Sequence, residues 1–150
     1  MVQKTKVAIL GKLPTKFKAP FANSDYDIWA FNWHIDEKQI KRVDLWVDIH
    51  AKNPNPKAAL TRQNFPFREV EKLLGGNYFN NTASYLIAYA ILRGYKTIEL
   101  YGMRFQSRDE QRKNEFNNVR ELIFFAKGKG IDIKAPFDPH LFTQYELYGV

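Results

Sequence analysis

The chain has 150 residues, of which 45% are hydrophobic and 26% charged, and it carries a formal net charge of +7. This length and composition favour one globular unit over residues 1–150 and exclude a disordered or low-complexity chain. The sequence has no cysteine, which excludes disulfides, thiolate metal sites and a cysteine nucleophile and favours a reducing compartment. No apolar run reaches the length of a signal-peptide core or the roughly 20 residues of a membrane span, so we expect a soluble protein with no membrane partner.

The first half of the chain predicts three strands separated by loops. Short apolar runs that end at glycine, asparagine or charged residues are typical of buried strands, and they lie at Lys6–Leu10, 27–31 and 43–49. The segment 11–24 has no sustained helical period, so it is expected to be a loop with one short turn. Segment 53–66 is rich in proline and asparagine, and no element is expected there.

The second half predicts helices that alternate with strands. Apolar residues at helical spacing predict helices over 67–74, 83–92 and 108–127, and Asn81 or Thr82 can cap the second of them. Strands are predicted at 97–101 and 131–135, before an aromatic-rich tail over 136–150. Strands joined by helices at this spacing favour a parallel sheet with helices on both faces. The predicted fold class is therefore α/β, a Rossmann-like three-layer domain with a mostly parallel sheet.

The loop after the first strand is a candidate phosphate site. Ligands of open parallel sheets bind beyond the carboxyl ends of the strands, near the point where strand order reverses. Here Gly11 would let the backbone approach a phosphate, while Lys12 and Thr15 supply charge and a hydroxyl donor. The loop matches neither common glycine-rich phosphate pattern, so an ordinary lysine-rich connection is the equal alternative.

The second and third predicted strands also end in polar residues. The Asn32 amide can hydrogen-bond the edge of a base or sugar, whereas Asp48 and His50 stand two positions apart and should point to the same side of a strand. Such a carboxylate can orient the imidazole as a general base. His50 is therefore the best catalytic candidate, with Asp48 as its partner. Such a pair could also hold a metal, although no metal ligand is predicted, and the cofactor is left open. The alternative is that neighbouring loops satisfy both groups.

Four polar residues cluster where the second predicted helix begins. They are Asn80, Asn81, Thr82 and Ser84. Free backbone amides at a helix N-terminus attract anions, whereas ordinary capping needs Asn81 or Thr82 alone. Ligand binding and capping both remain open here.

The stretch 81–103 resembles a segment of the bacterial sialyltransferases that use CMP-sialic acid. It is also similar to pterin-pyrophosphokinase-like domains and to small Rossmann-like proteins of bacteriophages. The run 46–50 resembles the bacteriophage proteins as well. The first strand with its loop, and the later strand ending in asparagine, are similar to the beginning of those sialyltransferases. The resemblance implies that a nucleotide is held by Gly11, Pro14, Thr15, Asn32, Thr82 and Ser84.

These observations predict that the protein binds a nucleotide or nucleotide-sugar at the strand ends, with transferase or hydrolase activity left open. One alternative is a noncatalytic, phage-type accessory protein that sequesters a nucleotide signal or binds a host protein. Another is nucleic-acid binding through the basic surface, which is weaker because the basic residues are dispersed and no recognised nucleic-acid motif occurs. The expected compartment is the cytoplasm, of the host cell if the chain is phage-encoded, and homo-oligomerisation is left open.

Overall fold

The strands and helices of the structure coincide largely with the short apolar segments described above. The computed structural model describes residues 2–32, 38–50, 52, 54–103 and 109–142. Two 3-10 helices lie within these residues, at Pro14–Lys18 and Pro139–Phe142. The strands and α-helices are β1 (Lys6–Leu10), β2 (Tyr26–Phe31), β3 (Leu45–Asp48), β4 (Leu60–Thr61), α1 (Phe67–Leu74), α2 (Thr82–Leu92), β5 (Thr97–Tyr101), α3 (Glu110–Gly128) and β6 (Asp132–Lys134).

The strands form one parallel sheet in the order β4-β3-β2-β1-β5-β6. The chain starts at β1 in the middle, runs outward to β4, and returns to β5 on the other side of β1. Strand order therefore reverses between β1 and β5, which is where open α/β sheets form a ligand crevice. The predicted α/β fold with a parallel sheet is confirmed, and it is consistent with a Rossmann-like domain.

One face of the sheet packs against all three described α-helices. Alternate strand residues such as Ile9 and Leu100 are fully buried there, together with Leu86 of α2 and Ile123 of α3. The α2 helix contacts both α1 and α3, so it is apolar on most sides and is buried over most of its length. This central helix and the interior strand β5 make up the main core.

The opposite face of the sheet is covered by the connection between β1 and β2. Strand residues on this face, among them Ala8, Leu10 and Ile28, pack against the segment that contains the first 3-10 helix. The segment 11–24 was expected to be a loop with one short turn, and the structure gives it a 3-10 helix at Pro14–Lys18. Helices were predicted on both faces; within the described residues the α-helices lie on one face and a 3-10 helix lies on the other.

Element boundaries differ from the predicted ones by a few residues. The third strand is shorter than 43–49, and β4 lies inside the segment 53–66, where no element was expected. This strand has only two residues, so local sequence carries little signal for it. The α3 helix begins at Glu110, where Asp109 Oδ1 accepts a hydrogen bond from Gln111 N at 3.0 Å. The expected start at residue 108, and the tail beyond 142, lie outside the described residues.

None of the helices in the described ranges is long and apolar enough to cross a membrane.

Candidate functional site

Two glycines bring the ends of β1 and β5 into backbone contact at the switch point. Gly102 has a φ of 72°, a conformation that residues with a side chain rarely adopt. A Cβ on Gly11 would lie 2.5 Å from the carbonyl oxygen of Gly102. Gly11 N donates to the carbonyl of Tyr101 at 2.7 Å, and Leu13 N donates to that of Gly102 at 3.2 Å. The first loop therefore lies directly against the end of β5.

A cavity of about 280 Å³ opens at this edge of the sheet, and we call it the strand-end cavity. It collects residues from the ends of β1, β2, β3 and β5 and from the N-terminal parts of α2 and α3. Six of the predicted site residues line it: Gly11, Lys12, Asn32, His50, Asn81 and Thr82. The other lining residues are Phe31, Asn80, Ala83, Gly102, Met103, Gln111 and Glu115.

Asn32 lines the cavity and has a strained backbone conformation. Its φ is 61°, a left-handed conformation that asparagine tolerates better than most residues with a side chain. The backbone is held there because Asn32 N donates to Val47 O at 3.0 Å and its carbonyl accepts from Asn55 Nδ2 at 3.1 Å. The side-chain oxygen Oδ1 is buried and has no hydrogen-bond partner among the described residues. An amide oxygen in this state is an open acceptor.

The Asp48 carboxylate orients the His50 ring. Asp48 is fully buried and His50 is half-exposed, with 2.7 Å between Nδ1 and Oδ1. Asp48 also accepts from the backbone N–H of His50 at 3.1 Å and of Asn55 at 2.9 Å. Burial alone would raise the pKa of Asp48, but the hydrogen bonds from Asn55 and His50 outweigh it, so this pKa lies below its usual value. An ionised carboxylate only accepts, so the proton of neutral His50 resides on Nδ1 and the Nε2 lone pair is left free.

The N-terminus of α2 forms another part of the wall. Asn81 caps the helix, with its Oδ1 accepting from Ser84 N at 3.0 Å, as the capping alternative predicts. Its carbonyl accepts from Tyr85 N at 3.4 Å. Within the described ranges, the N–H groups of Thr82 and Ala83 then have no acceptor, and both residues line the cavity. Unpaired amides at a helix N-terminus are suited to an anion.

A buried asparagine fastens this helix end to α3. Asn118 is 3% exposed, and its Oδ1 accepts from Asn80 N at 3.1 Å and from Asn81 Nδ2 at 3.3 Å. Its amide nitrogen donates to the carbonyl of Tyr78. This network sets the position of α3 and thereby brings Gln111 and Glu115 to the cavity. Sequence reasoning missed these two residues; their i, i+4 spacing on one helix face is the only local signal for them.

Four predicted site residues do not line the strand-end cavity. Asp48 lies behind His50, and Ser84 is fully buried, where its hydroxyl accepts from Asn81 Nδ2 at 2.9 Å. Thr15 donates to Asp138 Oδ2 at 3.0 Å and accepts from Gly102 N at 2.9 Å, so its hydroxyl joins loops together. Pro14 and Thr15 instead line a second cavity, of about 470 Å³, shared with residues 137–140.

No group of three histidine, aspartate or glutamate side chains within the part of the chain that the structure describes could hold a metal ion.

The fold and the cavity together define an α/β protein with a polar site at its topological switch point. The chain is similar in structure to the sialyltransferase CstII from Campylobacter jejuni, solved in complex with the substrate analogue CMP-3FNeuAc. The two share 17% identity and a TM-score of 0.50, over 91% of this chain and 84% of that chain. At this identity the likeness concerns the fold. No protein-family model matches the sequence, and a search of curated proteins finds no match.

Proposed function

We propose that the strand-end cavity binds a nucleotide-sugar and that the protein transfers the sugar to a hydroxyl group. The proposal is supported by the position of the cavity at the switch point of a parallel sheet. It is also supported by the likeness of the fold to that of a sialyltransferase solved with a CMP-sugar analogue. Lys12 and the free amides of α2 would hold the phosphate, and Asn32 would accept a hydrogen bond from the base or sugar.

The strained Asn32 is the observation that carries this proposal. A left-handed backbone costs a residue with a side chain about 1 to 2 kcal/mol, which glycine at the same position avoids. A buried amide oxygen with no partner adds a further cost of about 1 to 3 kcal/mol. A ligand N–H or O–H at this oxygen would offset that cost. Strain and an unpaired acceptor at one residue of a cavity are typical of a binding site.

The Asp48–His50 pair would supply the proton transfer. His50 Nε2 takes the proton of the incoming hydroxyl as its oxygen bonds to the anomeric carbon. The bond from that carbon to the phosphate oxygen breaks, and the leaving nucleotide keeps the electron pair. The buried Asp48 stabilises the imidazolium that forms, because it is already ionised and hydrogen-bonded to Nδ1. Water as the acceptor would make the same step a hydrolysis.

Binding is tested first, by thermal unfolding and calorimetry against mono-, di- and sugar nucleotides. A ligand at 100 times its dissociation constant should add about 2.7 kcal/mol to the free energy of unfolding. Lys12→Ala should weaken binding by about tenfold or more, because it removes a charge-assisted hydrogen bond to phosphate. Lys18→Ala is the matched control, since Lys18 is an exposed lysine of the same segment that does not line the cavity. A panel without any stabilising nucleotide would refute the proposal.

Asn32→Gly separates a binding role from a structural one. Glycine accepts the left-handed backbone and removes the amide, so the variant should be at least as stable as the wild type. It should nevertheless bind the nucleotide about five- to tenfold more weakly, as expected for the loss of about 1 kcal/mol from one neutral hydrogen bond. Unchanged affinity would show that Asn32 does not contact the ligand.

His50→Ala tests the chemistry. Loss of a general base lowers the rate by about 10² to 10⁴, whereas nucleotide affinity should be retained. Product analysis with and without an added sugar alcohol distinguishes transfer from hydrolysis. An unchanged rate would exclude the general-base role, and binding without any wild-type turnover would identify a noncatalytic nucleotide-binding protein.

A further inference from the structure

One wall of the strand-end cavity is formed by hydrogen-bond acceptors. Glu115 lines the cavity and is 8% exposed. Its Oε2 accepts from Arg112 Nη1 at 2.9 Å in a salt bridge, and its Oε1 accepts from Gln111 Nε2 at 3.3 Å. Because a carboxylate offers about four acceptor positions, these two bonds leave acceptor capacity. Gln111 also lines the cavity, and since its amide nitrogen donates to Glu115, its amide oxygen is a further acceptor.

The basic side chain of the cavity, Lys12, lies nearer the middle of the sheet. Lys12 follows β1 and His50 follows β3, whereas α3 packs beside β6. In the order β1-β5-β6, the strand that precedes Lys12 and the strand beside α3 are two spacings apart, which corresponds to about 10 Å. The cavity is therefore polar along its length, with the Lys12 ammonium at the end of β1 and the Glu115 carboxylate toward α3.

We infer that Glu115 is a specificity-determining residue that restricts the transferred group to a neutral or amino sugar and disfavours an acidic one. This inference rests on the proposed function. A phosphate held by Lys12 and the amides of α2 would leave the sugar to extend toward α3. Hydroxyl or amino groups of that sugar can donate to Glu115. A sugar carboxylate would instead meet the Glu115 carboxylate, whose charge the half-exposed Arg112 offsets only in part, and this juxtaposition of like charges is costly where water is largely excluded.

The test compares pairs of nucleotide-sugars that differ in charge at one sugar carbon. UDP-glucose is compared with UDP-glucuronate, and GDP-mannose with GDP-mannuronate, by calorimetry on the full chain; CMP-N-acetylneuraminate and the free nucleotides complete the set. The wild type should prefer a neutral member over its acidic partner by at least about tenfold. Glu115→Gln keeps the shape and removes the charge, so this ratio should fall to within about threefold of unity.

Glu110→Gln is the matched control on the same helix. Glu110 is 79% exposed and does not line the cavity, so its variant should keep the wild-type ratio. The ratio is the readout, because partial unfolding of Glu115→Gln would weaken both members of a pair equally. The inference is overturned if an acidic sugar nucleotide binds most tightly, if Glu115→Gln leaves the ratio unchanged, or if free nucleotides bind as tightly as every sugar nucleotide. Absence of binding by every compound would instead refute the proposed function.

Discussion

Asp48 shows how a single buried residue connects stability to the candidate site. Its side chain is fully buried, yet it carries a charge because three N–H groups donate to it. Those donors belong to His50 and to Asn55, whose own amide donates to the carbonyl of the strained Asn32. The charge of one carboxylate therefore orders the imidazole and the neighbouring strand end together.

Asp48→Asn should destabilise the protein and change its response to acid. Asparagine presents an N–H₂ group among donors, which costs about 1 to 3 kcal/mol at neutral pH. Because the pKa of Asp48 is lowered by folding, its contribution is present above the ordinary value of 3.8 and is lost as the pH falls through the folded-state value. Urea unfolding between pH 7 and 2 should show that the wild type loses this part of its free energy of unfolding in acid and that the variant does not. Asp132→Asn, at a residue 61% exposed, is the control, and equal acid sensitivity of wild type and Asp48→Asn would contradict the expectation.

At the scale of elements, the contact between β5 and the helices is the centre of the structure. The strand pairs with β1 on one side and β6 on the other. Its inner side chains, Ile98 and Leu100, are fully buried against the helical layer. The end of the same strand, at Gly102, forms part of the cavity wall, so packing of this strand and shape of the site are linked.

Leu100→Ala should lower the free energy of unfolding by roughly 2 to 5 kcal/mol. The substitution removes a fully buried side chain and leaves a cavity that the sheet and helices cannot close. Chemical denaturation measures the loss. Leu92→Ala provides the comparison, since Leu92 is 39% exposed at the end of α2 and should cost far less. A loss below about 1 kcal/mol for Leu100→Ala would be inconsistent with an interior strand.

Gly102→Ala should destabilise the protein by more than about 1 kcal/mol. Its φ of 72° disfavours a side chain, and a Cβ there would lie 2.8 Å from the carbonyl oxygen of Leu13. Gly128→Ala is the opposite case, because Gly128 lies in α3 and an added Cβ meets nothing within 4 Å. That control should be neutral or stabilising by up to about 1 kcal/mol. Thermal unfolding of both variants measures the two effects. Similar effects would show that a Cβ at position 102 does not clash with the Leu13 carbonyl.

At the scale of the whole molecule, a residue near the end of the described chain holds the first loop in place. Asp138 is 4% exposed, and its carboxylate accepts from the Thr15 hydroxyl at 3.0 Å and from Gly102 N at 3.0 Å. Thr15 and Asp138 are 123 positions apart in the sequence. The segment after β6 thus holds together the loop that follows β1 and the loop that follows β5.

Asp138→Ala should cost about 1 to 3 kcal/mol, because it removes the acceptor of the Thr15 hydroxyl and one of the two acceptors of Gly102 N. The clearest measurement is amide hydrogen exchange, in which the Gly102 N–H should exchange faster in the variant. Asp25→Ala, at an exposed residue of the β1–β2 connection, should change neither quantity. An unchanged exchange rate at Gly102 in Asp138→Ala would show that the carboxylate does not hold the loop.

The sequence by itself determined the elements whose signals are local. Apolar runs ending at glycine or asparagine predicted β1, β2 and β5, and helical spacing with a glycine end predicted α1. Capping by Asn81 and the apolar run after it predicted α2. Each of these signals lies within a few residues, because strand alternation, helix periodicity and caps depend on neighbouring side chains. Together they sufficed for the α/β class with a parallel sheet.

Only the tertiary structure decided which polar residues share a cavity. Thr15 and Ser84 were predicted to hold a ligand, but their hydroxyls bond to Asp138, Gly102 and Asn81. Glu115 reaches the cavity wall because Asn118 fastens α2 to α3. The roles of the residues at the cavity remain predictions. The physical reason is that hydrogen bonds between distant segments form only after the sheet and helices have packed, so no local pattern encodes them.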